Sequence, residues 1–443
     1  MKKRLFVLSV DSLFYDDTEW LKDCPNLYGI YKHSAVVKRI KSTFPAMTYV
    51  AHSTMMTGCY PDTHGICHNK MLKAGDDHPP WNWYRRQLQT NTVFDAAREK
   101  GYAISVVNWP VTGGDPNIDY LVPEIWTDGP DGDVRPRFLS ACSEPVIQLF
   151  DRYRHLLNWD CLPELDNFGV ACLKDIIRDH RPELVMLHLS YLDHNRHVYG
   201  AFSPEAKQAL LECDRKIGEI FDIMDGQGTL GETDFFVMGD HGHLPVKQVF
   251  HPNILLVKEG LIDLNGDGTL GDCRCFIHSA GLSAYVTLMD PEDTQVRRRV
   301  ETILEQWVRQ ETYGCRRVLN KEQLADLHLA GPMDYAIEGS PGTSFGNNCT
   351  GELIQPVGVP GCGLSVSGHG HLPDNGPQPI FFGAGPDIKE GVTVERGELI
   401  DEAPTYAAIL GLEMPWAQGK PISEILKPNM AQKEEQRDSK RKI

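Results

Sequence analysis

Carboxylates and imidazoles recur in this chain in four places: Asp11, Asp193 with His197, Asp240-His241-Gly242-His243, and His369-Gly370-His371. Together they offer three carboxylates and several imidazoles, the ligand set that zinc and similar divalent ions accept. Singly, each has an ordinary reading. Asp-x-x-x-His is common on solvated helix faces, Asp240-His241 would serve as turn residues, and His369 would suit any glycine-rich loop. Their placement is what sets them apart. Asp11 ends the apolar run Leu5–Val10, the Asp193 segment follows Leu184–Leu189, and Asp240 follows Phe235–Met238. Such continuous β-rich runs typify parallel strands covered on both faces. In an open α/β sheet, ligands bind beyond the carboxyl ends of the strands.

A hydroxyl is placed to join them. Phe44-Pro45 reads as extended or turned chain, and a helix follows from Tyr49 to about Thr57, stopped by Gly58. Thr48 then falls at the N-cap. Threonine is a favoured cap, and capping alone would account for it. Equally, a hydroxyl at a helix N-terminus faces free N–H groups and the positive end of the dipole, where phosphate binds well. The neighbouring His52, His64 and His68 read as structural.

The remaining elements frame an α/β fold. Ala103–Val107 and Ile380–Phe382 read as further core strands, and Thr92–Lys100 and Ser203 to about Met224 as helices. The texture changes near Cys273. Gly281–Leu288 and Arg316–Leu319 read as strands and Pro291–Gln310 as an amphipathic helix, giving a small α+β insert. One large catalytic domain, 1–426, is expected, with inserts at about 75–170 and 273–360 covering the substrate, and a charged tail from 427 to 443. With 443 residues, 41% of them hydrophobic, a large core is available. A net charge of −17 makes nucleic acid polymers and anionic membranes unsuitable partners. The run Leu5–Val10 is too short for a signal or a membrane span. Twelve scattered cysteines fit a reduced, cytoplasmic protein.

The motifs resemble the alkaline phosphatase superfamily, and within it the nucleotide pyrophosphatase/phosphodiesterase (type I phosphodiesterase) branch. The resemblance runs from Leu5 to about Leu426. It rests on the strand ending in Asp11, on Thr57-Gly58 with Tyr60-Pro61-x-x-His64-Gly65-Ile66, and on Asp193-x-x-x-His197. Asp240-His241-Gly242 and His369-Gly370 complete it. It implies an alkaline-phosphatase-like sandwich with a mainly parallel sheet flanked by helices. It implies two divalent ions, zinc foremost: one held by Asp193, His197 and His369, the other by Asp11, Asp240 and His241. It places the nucleophile at Thr48, with Thr43 of Thr43-Phe44-Pro45-Ala46 as alternate, and an amide at Asn69. His243 and His371, each two residues from a proposed ligand, are alternates for metal binding. A sulfatase would need Cys-x-Pro-x-Arg, and Cys59-Tyr60-Pro61-Asp62-Thr63 lacks the arginine.

The expected reaction is hydrolysis of phosphate diesters or pyrophosphates through a covalent phospho-threonine. Two ions bring four positive charges and the three aspartates return three negative ones, so the site is locally positive inside an acidic protein. Such ions sit roughly 4 Å apart and clamp the attacking and leaving oxygens. The Asn69 amide and the Tyr49 N–H are expected to donate to a non-bridging oxygen. No Lys or Arg is aimed at the phosphate by its motif position, which favours a small diester or phosphonate-like monoanion over a monoester; Arg85 and Arg86 would reverse this. Alternatives are phosphonoacetate hydrolase-like or phosphomonoesterase activity, or a non-catalytic metal- or ligand-binding protein of the same fold. Separately, Asp263, Asn265 and Asp267 match the start of an EF-hand calcium loop, although Arg274 stands at its twelfth place. A plain Asp/Gly turn is the other reading.

Overall fold

The computed structural model describes residues 2–73, 75–125, 134–157, 162–358 and 363–428. Most of the charged tail therefore lies outside the described residues. The five core strand runs read from sequence join three that were not, Ala35–Lys41, Tyr120–Val122 and Thr393–Glu398, in one eight-stranded sheet. Its members are β1 (Arg4–Val10), β2 (Ala35–Lys41), β3 (Ile104–Val107), β4 (Tyr120–Val122), β5 (Leu184–Leu189) and β6 (Thr233–Met238), with Phe381–Ala384 and Thr393–Glu398. The order is Thr393–Glu398, β2, Phe381–Ala384, β6, β1, β5, β3, β4. Only Phe381–Ala384 runs antiparallel to its neighbours. The sheet is thus mainly parallel and flanked by helices, an α/β architecture.

Register sets up the chemistry. β1 lies between β5 and β6, with Ser9 opposite both His188 and Met238. All three strands run the same way, so the residues just beyond them share one edge: Asp11, the start of helix Tyr191–Tyr199 with Asp193, and Asp240. β1 is buried along nearly its whole length, as a strand covered on both faces must be.

The stretch 75–170 behaves differently from the expected covering insert. It supplies β3 and β4 to the main sheet, and Val106, Val107 and Trp109 to the main core. Ala103–Val107 is the strand read from sequence, while the Trp- and Pro-rich texture masked the three-residue β4. The later insert does form a unit. Cys275–Ala280, Ser283–Leu288, Tyr335–Gly339 and Cys315–Asn320 make a four-stranded sheet. Helix Thr294–Arg309 packs Val296, Val300, Ile303, Leu304 and Trp307 into a second core there. Between the units runs β7 (Leu244–Phe250), paired with Gly342–Phe345, Ile354–Pro356 and Ser367–Gly368.

Asp263 lies in the first strand of the hairpin Ile262–Leu264/Leu270–Cys273, and residues 265–269 form its turn. Asp267 Oδ1 accepts from the Thr269 amide and hydroxyl, and Asn265 Nδ2 donates to Thr269 Oγ1 and the Leu270 carbonyl. The Asn265 and Asp267 side chains thus take part in closing the turn, as a plain Asp/Gly turn would have them do.

Candidate metal centre

Thr48 opens helix Thr48–Thr57, whose ten residues are all buried. Met47, extended at φ −133°, is the N-cap, and Gly58 closes the helix in the left-handed region. The expectation that Thr48 is the cap is thus off by one residue. Its side chain does not cap; Oγ1 lies 3.2 Å from His241 Nε2. The alternate, Thr43, turns its hydroxyl to the Pro45 carbonyl.

Around His241 Nε2 gather Asp11 Oδ1 at 3.4 Å and Asp240 Oδ2 at 3.3 Å. Both carboxylate oxygens are buried and accept no hydrogen bond. An orphaned buried oxygen is costly unless a cation satisfies it, so this inner cluster fits a metal ion. The Asp11 carboxyl is raised well above its usual range by burial and by repulsion from Asp240. A bound cation would reverse that shift. Asp240's other oxygen is held by the Ser12 and His241 amides. Ser12 takes φ +63° to aim its N–H there. Gly242 is required because a Cβ would lie 2.2 Å from the Pro377 carbonyl oxygen.

The outer cluster centres on Asp193. Helix Tyr191–Tyr199 carries Asp193 and His197 one turn apart, with His197 Nε2 3.4 Å from Asp193 Oδ2. His369 joins them, its ring centroid 5.1 Å from that of His197. The ligand atoms of Asp193, His241, His243 and His369 all lie within 4.8 Å of one another, as do those of Asp11, Asp240 and His241. Burial works to raise the Asp193 carboxyl, but His197, His243 and His369 together hold it well below its usual range. Gly370, at φ +91°, lets the loop pass; a Cβ there would meet the Ala280 carbonyl oxygen at 1.8 Å. His371 lies away from the cluster, against Gly376.

The helix is fixed from both ends. Asp166 accepts from the Ser190 and Tyr191 amides at its N-terminus. Arg196, fully buried between the two motif residues, pairs with buried Asp17 at 2.7 Å. Removing either partner would strand the other, a loss of about 3–5 kcal/mol.

Several supporting groups carried no sequence signal. His52, read as structural, is at the site: Nδ1 donates to the Thr48 carbonyl at 2.8 Å and lies 3.6 Å from Asp240 Oδ2, while Nε2 meets Ser9 Oγ. Burial pushes its imidazole down to about 3, so it is neutral. His188, inside β5, reaches Asp11 Oδ2 at 3.2 Å and the Asn108 carbonyl at 3.0 Å. Buried Glu124 stands 3.7 Å from His188 Nδ1. His64 and His68 are structural as read, bonded to Thr54 Oγ1 and the Ser279 carbonyl.

Asn69 departs from expectation in one respect. Its Oδ1 accepts from the Tyr49 N–H at 3.0 Å. That amide is therefore occupied, and what it does is orient Asn69, whose Nδ2 is left as the donor. Arg85 is tied to Asp95 and Asp115, and Arg86 stacks on Tyr84.

A family model described as type I phosphodiesterase / nucleotide pyrophosphatase matches residues 5–351. The ectonucleotide pyrophosphatase/phosphodiesterase family member 1 of Mus musculus is 24% identical over 403 residues, 88% of this chain and 38% of its own. An uncharacterized pyrophosphatase/phosphodiesterase of Schizosaccharomyces pombe is 22% identical over 253 residues, 54% of this chain and 45% of its own. The chain thus spans less than half the length of these curated relatives. The solved structure of murine ectonucleotide pyrophosphatase/phosphodiesterase 5 superposes with TM-score 0.66 at 16% identity, over 96% of this chain and 100% of that one. An inactive threonine-to-alanine form of that mouse protein, in complex with AMP, gives TM-score 0.65 at 15% identity with the same coverage. At such identities the likeness to the solved structures is one of fold.

Proposed function

The chain belongs to the type I phosphodiesterase / nucleotide pyrophosphatase family, and on that premise we propose that it hydrolyses phosphate diesters or pyrophosphates with Thr48 as nucleophile. One observation carries the reading. A hydroxyl, an imidazole nitrogen and two orphaned carboxylate oxygens meet around a single point, with Thr48 Oγ1 3.2 Å from His241 Nε2. Asp11, Asp240 and His241 would hold one divalent ion there, and Asp193, His197 and His369 a second. When bound, the ions would supply the positive charge that admits the phosphate, lowers the hydroxyl pKa and stabilises the departing oxygen.

The chain's own groups do the rest. The helix N-terminus directs its dipole at the phosphate. His52 fixes the Thr48 backbone from below, and Asn69, oriented by Tyr49, presents Nδ2 to a non-bridging oxygen. Thr48 Oγ bonds to phosphorus as the ester oxygen leaves with a proton. Water then cleaves the threonine phosphate and restores the hydroxyl. The AMP held by the solved mouse neighbour supports a nucleotide as one half of the substrate. The commitment of Arg85 to Asp95 and Asp115 supports a monoanionic phosphate over a dianionic one. The ten described cysteines are unpaired, which supports a reducing, cytoplasmic setting.

Hydrolysis of bis-p-nitrophenyl phosphate tests this directly. Turnover is expected with zinc, and it should vanish with chelator and in Thr48→Ala. Undiminished turnover by Thr48→Ala, or faster release from p-nitrophenyl phosphate than from the diester, would overturn the nucleophile or the substrate preference respectively.

A further inference from the structure

His243 sits beyond the Asp-His-Gly motif, fully buried, between β6 and β7. Its partners fix where its proton lies. The Ser367 hydroxyl has one hydrogen, and the Arg196 carbonyl, 2.6 Å away and able only to accept, takes it. His243 Nδ1, 2.9 Å from the same hydroxyl oxygen, must therefore be the donor. In the neutral ring the other nitrogen, Nε2, is then bare, and it faces Asp193 Oδ1 at 2.6 Å.

The same logic holds for its two neighbours. His197 Nδ1 lies 2.9 Å from the Ser367 carbonyl and His369 Nδ1 lies 3.0 Å from the Ala46 carbonyl. Carbonyls accept only, so both rings carry the proton on Nδ1, and in their neutral form their Nε2 atoms are bare. The three rings form a triangle, with centroid separations of 4.6 Å for His197–His243, 5.1 Å for His197–His369 and 5.4 Å for His243–His369. A histidine that donates one N–H to a carbonyl or hydroxyl and turns the other nitrogen inward is the usual arrangement of a metal ligand. A single proton shared with Asp193 would serve one imidazole and leave the others as lone pairs facing a carboxylate.

We infer that His243 is a fourth protein ligand of the outer ion, which is held by Asp193, His197, His243 and His369, with Ser367 as the shared positioning residue for His197 and His243. This rests on the two-ion reading above but adds to its ligand set. Four protein ligands are the count of a closed site, whereas catalytic sites normally keep one position open. A phosphate oxygen would enter the outer site only as a fifth ligand. The two ions are then unequal: the inner one, with three protein ligands and Thr48 beside it, is the more open.

The test is metal binding, separate from turnover. Metal-free wild type, His243→Gln and Ser367→Ala are titrated with Zn2+ by calorimetry, and with Co2+ by visible absorption. Wild type should bind two ions. In His243→Gln one affinity should fall more than about tenfold, since losing even a supporting group costs that much, with the Co2+ spectrum of that site altered and the other affinity unchanged. Ser367→Ala should lower the same affinity by about tenfold, which guards against a His243 variant that merely folds poorly. Unchanged affinities in both variants would overturn the inference, leaving His243 as a hydrogen-bond partner of Asp193. Fewer than two ions in wild type would instead sink the two-ion reading itself.

Discussion

The two clusters differ in what they are made of and in what holds them. The inner one is carboxylate-rich and fully buried, and it grows from the ends of adjacent parallel strands in the main sheet. The outer one is imidazole-rich and half-buried, and it is assembled from one helix, the turn after β6 and a late loop. The inner cluster leaves oxygens unsatisfied; the outer one leaves bare nitrogens turned toward one carboxylate. Rigid strand ends suit the step that needs a fixed hydroxyl. A helix, a turn and a loop suit a site closed around its ion by several imidazoles.

Substitutions can separate them. The largest effect is expected from Thr48→Ala, with turnover falling by about 10³-fold or more while both ions stay bound; loss of metal content in that variant would show that Thr48 has a structural role instead. Asp240→Asn should remove the inner ion and turnover together but keep the outer ion, as counted by metal analysis of the purified variant. The mirror experiment, His369→Gln, should empty the outer site first. His188→Gln touches only the group behind Asp11, so inner-site affinity should drop about 10–100-fold with the outer site unaffected. Equal losses at both sites would erase the distinction.

The smallest effect concerns stability on the outer side alone. Burial pushes the Asp166 carboxyl up to about 6, against the hydrogen bonds from Ser190 and Tyr191. The folded protein then binds that proton more tightly than the unfolded chain. Stability should fall as pH rises from about 4 to about 6. Asp166→Asn should flatten this slope by at most about 3 kcal/mol. Parallel melting curves for variant and wild type between pH 4 and 7 would contradict it.

The sheet was readable because its strands are continuous apolar runs, and the motif residues because they follow those runs. Groups that act through register were not readable. His188 looks like one more residue of a buried strand until β5 pairs with β1 and brings it beside Asp11. His52 looks like helix packing until Thr48–Thr57 docks its buried face over Ser9. Ser367 is an unremarkable serine in a glycine-rich loop, and only its pairing with β7 brings it under two imidazoles. Thr48 was displaced by one position because Met47, extended and side-chain neutral, carries no capping signal. Strand β4 was hidden by length, three residues being too few to stand out in a Trp- and Pro-rich stretch, and β2 and Thr393–Glu398 by the charged residues they carry.

His241 has ligand atoms within reach of both clusters and stacks on His369, with centroids 3.8 Å apart and planes 13° from parallel. The ring that serves the inner cluster is thus also a wall of the outer one, a partition common to both. A substitution at His241 should disturb both chambers together, unlike any of the single-cluster variants above.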